Sequence, residues 1–311
     1  MDCIDIKVGF ACNNDCLHCV TADKRVFGDL TTEKLLTEIE HYSGHTQAVL
    51  VLTGGEPTIR PDLVDLVAFA HDTGFARIQL QTNARALADP KLADELARAG
   101  VDSALVALHG PSAEVHDAIT RAPGGFVQTL AGMGNLLSNG VEVGTNTVIS
   151  RLNLDHLEAM PELLATELPG IEGGHLTFPH ANGNALKYFD QVVPPLGQTA
   201  EVVVRTLKRG LRGGIWFMVE AIPVCLLPGF EKHSLDITQL EVAGTDMGSG
   251  AQGGRVSDYR NVLRADKRKG EQCAQCSLTG ICDGVWREYA ESFGTDELRP
   301  VTDLDPAYVT A

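Results

Sequence analysis

Apolar segments that alternate with helical ones along the first 215 residues predict an α/β chain built on a parallel sheet. Two observations carry that expectation. The apolar runs are short, as strands buried on both faces are. The segments between them begin and end on helix caps and stops. The first strand is expected over 4–9, followed by a helix over 32–42 with threonine at its cap and Glu33 in its first turn. A strand over 48–53 leads to a helix over 61–73 stopped by Gly74, and a strand over 76–82 to a helix over 89–99 stopped by Gly100. Strands over 104–108, 142–149 and 175–178 alternate with helices over 125–139 and 154–168. Such a run of βα units makes either a doubly wound sheet or part of a barrel, with right-handed crossovers.

Composition narrows the class of protein. The 311 residues hold 41 acidic and 25 basic side chains, a net charge of −16, and 44% are hydrophobic. That is enough apolar material for one large domain with a modest appendage. The charge repels a phosphate backbone and offers no basic tract to nucleic acid or to an anionic membrane. The opening MDCIDIKVGF has no basic leader or long apolar core, and no apolar run is long enough to span a bilayer, so a cytoplasmic protein is expected.

The eight cysteines are grouped rather than scattered. Cys12, Cys16 and Cys19 stand in FACNNDCLHCV, just after the first strand, and three thiolates without a fourth leave one coordination position open. A structural zinc site or plain buried thiols would also fit three close cysteines. About 35 residues on, the strand Ala48-Val-Leu-Val-Leu52 ends in Gly54, Gly55, Glu56 and Pro57, where backbone without side chains can approach a ligand closely.

The C-x3-C-x2-C spacing followed by GGEP resembles the radical S-adenosylmethionine (radical SAM) superfamily. The resemblance implies a partial (β/α)6 TIM-type barrel over residues 1–215, with a 4Fe–4S cluster on Cys12, Cys16 and Cys19 whose free iron chelates SAM. It further implies that Gly54, Gly55, Glu56 and Pro57 hold the SAM amino group. One electron would then cleave SAM to methionine and a 5′-deoxyadenosyl radical, which takes hydrogen from a substrate C–H bond. The electron would come from a donor such as flavodoxin or ferredoxin. Ligands of parallel barrels sit at the carboxyl ends of the strands. Asn83, Asn146 and Ser150 are therefore candidates for the SAM pocket, although Asn and Ser also favour strand ends for turn chemistry alone. His109 and His180 at strand ends are candidate acid/base or hydrogen-bonding groups toward the substrate. The residue before the third cysteine is usually aromatic in the family. Here it is His18, for which the resemblance implies an altered adenine contact.

Residues 216–311 have a different texture. WFMVEAIPVCLLPGF reads as a strand ending near Pro223 with Cys225 beyond it, and the glycine-rich 244–254 as a flexible loop or lid. Cys273, Cys276 and Cys282 follow in C-x2-C-x5-C spacing, and with Cys225 they supply four thiolates. A zinc ribbon would suit four such cysteines. The segment also resembles the SPASM and twitch extensions of radical SAM enzymes, which implies one auxiliary 4Fe–4S cluster. Cys3 is left over, buried in or beside the first strand. Extensions of this kind accompany oxidation, crosslinking or epimerisation of ribosomally made peptides, and also oxidation or rearrangement of small molecules such as sugars, cyclitols and cofactor precursors. A peptide substrate is the first expectation. A non-catalytic iron–sulfur electron carrier is a third reading, against which the GGEP segment speaks.

Overall fold

The computed structural model describes residues 3–237, 242–245, 255–256 and 259–304. Seven parallel strands lie side by side in chain order: β1 (Cys3–Lys7), β2 (Val49–Thr53), β3 (Arg77–Thr82), β4 (Ser103–Ala107), β5 (Glu142–Val148), β6 (Gly173–Thr177) and β7 (Trp216–Glu220). Between them run α1 (Thr32–His41), α2 (Leu63–Asp72), α3 (Pro90–Ala99), α4 (Ala113–Thr120), α5 (Gly125–Ser138), α6 (Met160–Glu167), the short α7 (Asn184–Lys187) and α8 (Phe189–Val192), and α9 (Leu196–Gly213). Strand side chains divide by period two. In β1, Ile4 and Ile6 are buried in the apolar core, while Asp5 and Lys7 border the interior cavity of the curved sheet. The result is a partial barrel of seven parallel strands in which β1 and β7 do not pair with each other.

The C-terminal segment returns to this sheet. β8 (Val242–Thr245) pairs parallel with β1 and β9 (Arg255–Val256) antiparallel with β8, so nine strands share one sheet. After α10 (Tyr259–Ala265), β10 (Lys267–Arg268) and β11 (Val285–Trp286) form an antiparallel pair, and α11 (Arg287–Phe293) follows. Tyr289 of α11 accepts from the Leu196 N–H at 2.7 Å and packs edge-on against Phe178. The boundary expected at residue 216 therefore falls between α9 and β7, and the sheet runs across it. Gly244 and Thr245 end β8, and the rest of the glycine-rich 244–254 stretch lies outside the described residues.

Helix caps act as the residue types require. Thr31 accepts from the Lys34 N–H at the start of α1, Asp89 from Lys91 at α3, and Gly100 ends α3 in the left-handed conformation at φ 116°. The helix expected over 154–168 is instead a 3-10 stretch, Leu154–Ala159, followed by α6. Pro161 has no N–H to return to Leu157. β6 starts two residues before the expected strand because glycine is needed there. A Cβ on Gly173 would stand 1.6 Å from the Trp216 carbonyl oxygen of β7.

Candidate active site at the mouth of the barrel

Cys12, Cys16 and Cys19 lie on the loop after β1, and all three border one cavity of about 550 Å³ at the carboxyl ends of the strands. Backbone bonds attach this loop to the GGE turn: Gly55 N–H donates to Gly9 O at 2.8 Å and Glu56 N–H to Ala11 O at 2.7 Å. Such closeness excludes side chains. A Cβ on Gly54 would lie 2.3 Å from Gly9 O, and one on Gly55 would lie 2.1 Å from Ala11 O. The two glycines thus admit the cysteine loop as well as bordering the cavity.

Arginines and helix ends hold the rest of the loop. Arg25 donates to Asn14 O and Asp15, Arg85 to Asn13 O and Asn14, and Arg121 to Asp15. The last carbonyls of α4 accept from the loop, Thr120 O from Asp15 N–H and Ile119 O from Leu17 N–H. From across the barrel, Asn184 donates its side chain to Cys16 O and its N–H to Cys19 O, both at 2.9 Å. Nothing in their sequence surroundings marks Arg25, Arg85, Arg121 or Asn184, since each acts through tertiary contact.

Burial pushes the Cys12 and Cys16 thiols up, with mutual repulsion among the three cysteines adding to it. Two buried thiols that resist ionisation until a cation joins them, with Cys19 bordering the same cavity, fit an iron–sulfur cluster. The Asn14 N–H, 3.4 Å from Cys12 Sγ, suits a charged sulfur.

Glu56 is buried and accepts four hydrogen bonds. Oε1 takes the Thr58 N–H at 2.9 Å and the Thr58 and Thr82 hydroxyls at 2.5 Å, and Oε2 takes the Asn83 N–H at 2.6 Å. Burial still holds its acidity below that of an ordinary glutamate, against the four donors. The carboxylate is thus a pin between the turns after β2 and β3, a role unread in the sequence. Asn83 borders the cavity and donates to Asn13 of the cysteine loop at 2.7 Å.

His18 and His109 meet edge-to-face at 4.3 Å, and His109 stacks on His116 at 5.9 Å. His116 Nδ1 accepts the His109 N–H, and His109 Nδ1 accepts the Val148 N–H, so each ring carries its proton on Nε2. Burial lowers all three, His18 and His116 to about 4 and His109 well below its ordinary value. His109 is a neutral donor at neutral pH. His180 also borders the cavity, stacked at 3.9 Å on Trp286 of β11 and lowered by burial.

Asn146 borders the cavity and accepts from Thr177 at 2.9 Å. Two of the expected SAM-binding residues stand apart from the residues that border the cavity. Pro57 is buried at the start of a 3-10 turn and does not border the cavity. Ser150 does not border it either: its N–H and hydroxyl turn to Asn153 Oδ1, closing the bend after β5.

The four C-terminal cysteines come together. Cys225, Cys273, Cys276 and Cys282 line one small cavity of about 20 Å³ with Pro223, Leu298 and Arg299. Burial raises Cys225 to about 11 and also raises Cys282. Backbone N–H groups face these sulfurs: that of Arg299 toward Cys225, those of Gly284 and Val224 toward Cys282, and Val301 at 3.4 Å from Cys276. Sulfur atoms ringed by donors suit thiolates bound to metal.

A partial barrel that gathers three cysteines beside a GGE turn defines a SAM-dependent iron–sulfur enzyme. Residues 6–164 match the family model described as "Radical SAM superfamily", and the chain belongs to that superfamily. It is therefore an enzyme of the kind that uses SAM and a 4Fe–4S cluster. An AdoMet-dependent heme synthase of Methanosarcina barkeri is 35% identical over 162 residues, 51% of this chain and 46% of that protein. The mycofactocin maturase MftC of Mycobacterium tuberculosis is 33% identical over 165 residues, 52% of this chain and 41% of that one. These matches span less than half the length of either relative. The crystal structure of anSMEcpe with bound AdoMet and a Cp18Cys peptide shares the fold, with a TM-score of 0.66 at 15% identity, over 96% of this chain and 92% of that one. Among the described residues, no helix is long and apolar enough to cross a membrane.

Proposed function

We propose that the protein removes hydrogen from a C–H bond of a ribosomally made peptide, leading to its oxidation, crosslinking or epimerisation. The observation that carries this reading is that one cavity is bordered both by Cys12, Cys16, Cys19 and the GGE turn and by His180, Trp286 and Glu220. When bound, the cluster supplies the electron that cleaves SAM to methionine and the hydrogen-abstracting 5′-deoxyadenosyl radical. The chain's own groups orient and enclose. Gly54, Gly55 and Glu56 shape the SAM end with Asn83, Asn146 and His18, and His109 offers a fixed Nε2–H. The C-terminal segment supplies Trp286 as a wall that excludes water from a reactive centre.

The site of Cys225, Cys273, Cys276 and Cys282 is read as an auxiliary 4Fe–4S cluster. What supports the cluster reading is that the four cysteines border one cavity beside a barrel that already carries a cysteine trio at its mouth. The organisation that goes with this reading is a barrel over 1–215 and an auxiliary-cluster region over 216–311, in a cytoplasmic enzyme served by a flavodoxin- or ferredoxin-type donor. A peptide is favoured by the fold shared with the peptide-bound anSMEcpe and by the likeness to a mycofactocin maturase. The likeness to a heme synthase favours the second reading, a small cofactor precursor.

The test is anaerobic reconstitution followed by reduction with SAM. About eight irons per chain and formation of 5′-deoxyadenosine are expected, with turnover stimulated by peptides encoded beside the gene. Stimulation by iron porphyrins alone would favour the second reading, and about four irons with one zinc would remove the auxiliary cluster.

A further inference from the structure

Lumens of parallel barrels are ordinarily filled by branched apolar side chains. Here Asp5, Lys7, Gln79, Asn146, Thr177 and Glu220 face the cavity instead. Most of them have partners: Lys7 pairs with Asp5 at 2.7 Å and Asn146 accepts from Thr177 at 2.9 Å. Glu220, the last residue of β7, differs. Its Oε2 lies 3.1 Å from the Thr177 hydroxyl, whose one proton it shares with Asn146, and among the described residues its Oε1 meets no donor.

The cation near Glu220 among the described residues, Lys267 of β10, is already engaged: it pairs with Asp236 at 3.0 Å and lies over the Trp286 ring, 4.7 Å from its centre. The corner is largely buried, where a charge without a partner is costly. Burial and the Asp236 charge both raise Glu220, so the unliganded site can hold a proton where a cation would sit. The backbone after Glu220 is held as well. Ala221 is left-handed at φ 61°, a conformation L-residues rarely adopt, and Ala84 repeats it at φ 57° just after Asn83.

We propose that Glu220 anchors a cationic group of the substrate, an alkylammonium or guanidinium such as a lysine or arginine side chain carries, and so selects which part of it enters the barrel. This rests on the reading of the cavity as the substrate site. Position agrees with it. β1 and β7 are the first and last of the seven parallel strands, so the cysteine loop and Glu220 reach the one cavity from different ends of the strand order.

The reconstituted, SAM-loaded protein can be titrated calorimetrically with N-acetyl-lysine amide and with N-acetyl-norleucine amide, which has nearly the same shape without the charge. Wild type should prefer the lysine probe by about tenfold or more, and Glu220→Gln should reduce the preference to within about twofold. Glu220→Asp, which keeps the charge on a shorter arm, should retain a weakened preference and serves if the Gln variant does not fold by thermal melting. Equal or absent binding of both probes to wild type, or a preference that survives in Glu220→Gln, would overturn the assignment. 5′-Deoxyadenosine formation by the same wild-type preparation separates the two readings: its absence with lysine preference intact would count against the proposed function and not against this anchor.

Discussion

The Asn83 backbone N–H donates to Glu56 Oε2 at 2.6 Å and so ties the turn after β3 to the turn after β2. With the three donors on Oε1, this leaves Glu56 little left to offer a ligand directly. Its effect on SAM passes through the turn it stiffens. Glu56→Ala strands the buried Thr58 and Asn83 N–H groups at about 1–3 kcal/mol each. The expected result is a stability loss of about 2–4 kcal/mol in urea together with weaker SAM binding. Lost SAM affinity at unchanged stability would return the carboxylate to a direct contact.

Gly183 packs against the cysteine loop from the opposite side of the barrel. It sits at φ 54°, and a Cβ there would lie 2.6 Å from Cys19 O. Gly183→Ala should therefore displace the loop and cost up to about four of about eight irons. Gly213 near the end of α9 has nothing within 4 Å of its Cβ position. Gly213→Ala should keep full iron and gain up to about 1 kcal/mol. Equal iron in both variants would show that the Gly183 contact does not hold the loop.

His116 gives a pH signature. Burial lowers it to about 4 in the fold, against about 6.5 unfolded. The unfolded chain therefore binds the proton more tightly, and stability is lost as pH falls below about 6.5 until it levels off below about 4. Between pH 7 and pH 5 this one imidazole should cost about 2 kcal/mol. Subtracting His116→Gln from wild type in denaturant titrations at the two pH values isolates it from cluster loss. A difference near zero would place the ring in contact with water.

The six strands of the sequence reading are legible because a buried parallel strand leaves a short apolar run. α9, the longest helix among the described residues, is not among the expected helices, although its buried Leu196, Val203, Leu207 and Gly210 recur at helical spacing. The two threonines on that face, Thr199 and Thr206, are tolerated because their hydroxyls return to the carbonyls of Pro195 and Val202. The cysteines and the GGE turn are visible because their chemistry depends on local spacing. Arg121, Asn184 and Glu220 are not, since each matters through a partner more than a hundred residues away or through a cavity that many strands build.

Cys225 decides how the second cysteine site works. It borders the small cavity with Cys273, Cys276 and Cys282 and is absent from the wall of the large one. A thiol that gives hydrogen to a substrate radical would have to reach that larger cavity. The Arg299 N–H directed at its sulfur and the three neighbouring cysteines favour a cluster ligand. Cys225→Ala should then lower iron from about eight to about four per chain. The SAM-binding cluster should stay intact by Mössbauer spectroscopy, and product formation should fall more than uncoupled SAM cleavage. The hydrogen-donor alternative predicts full iron with a stalled or diverted product. Undiminished iron in this variant would therefore end the ligand assignment, whatever happens to turnover.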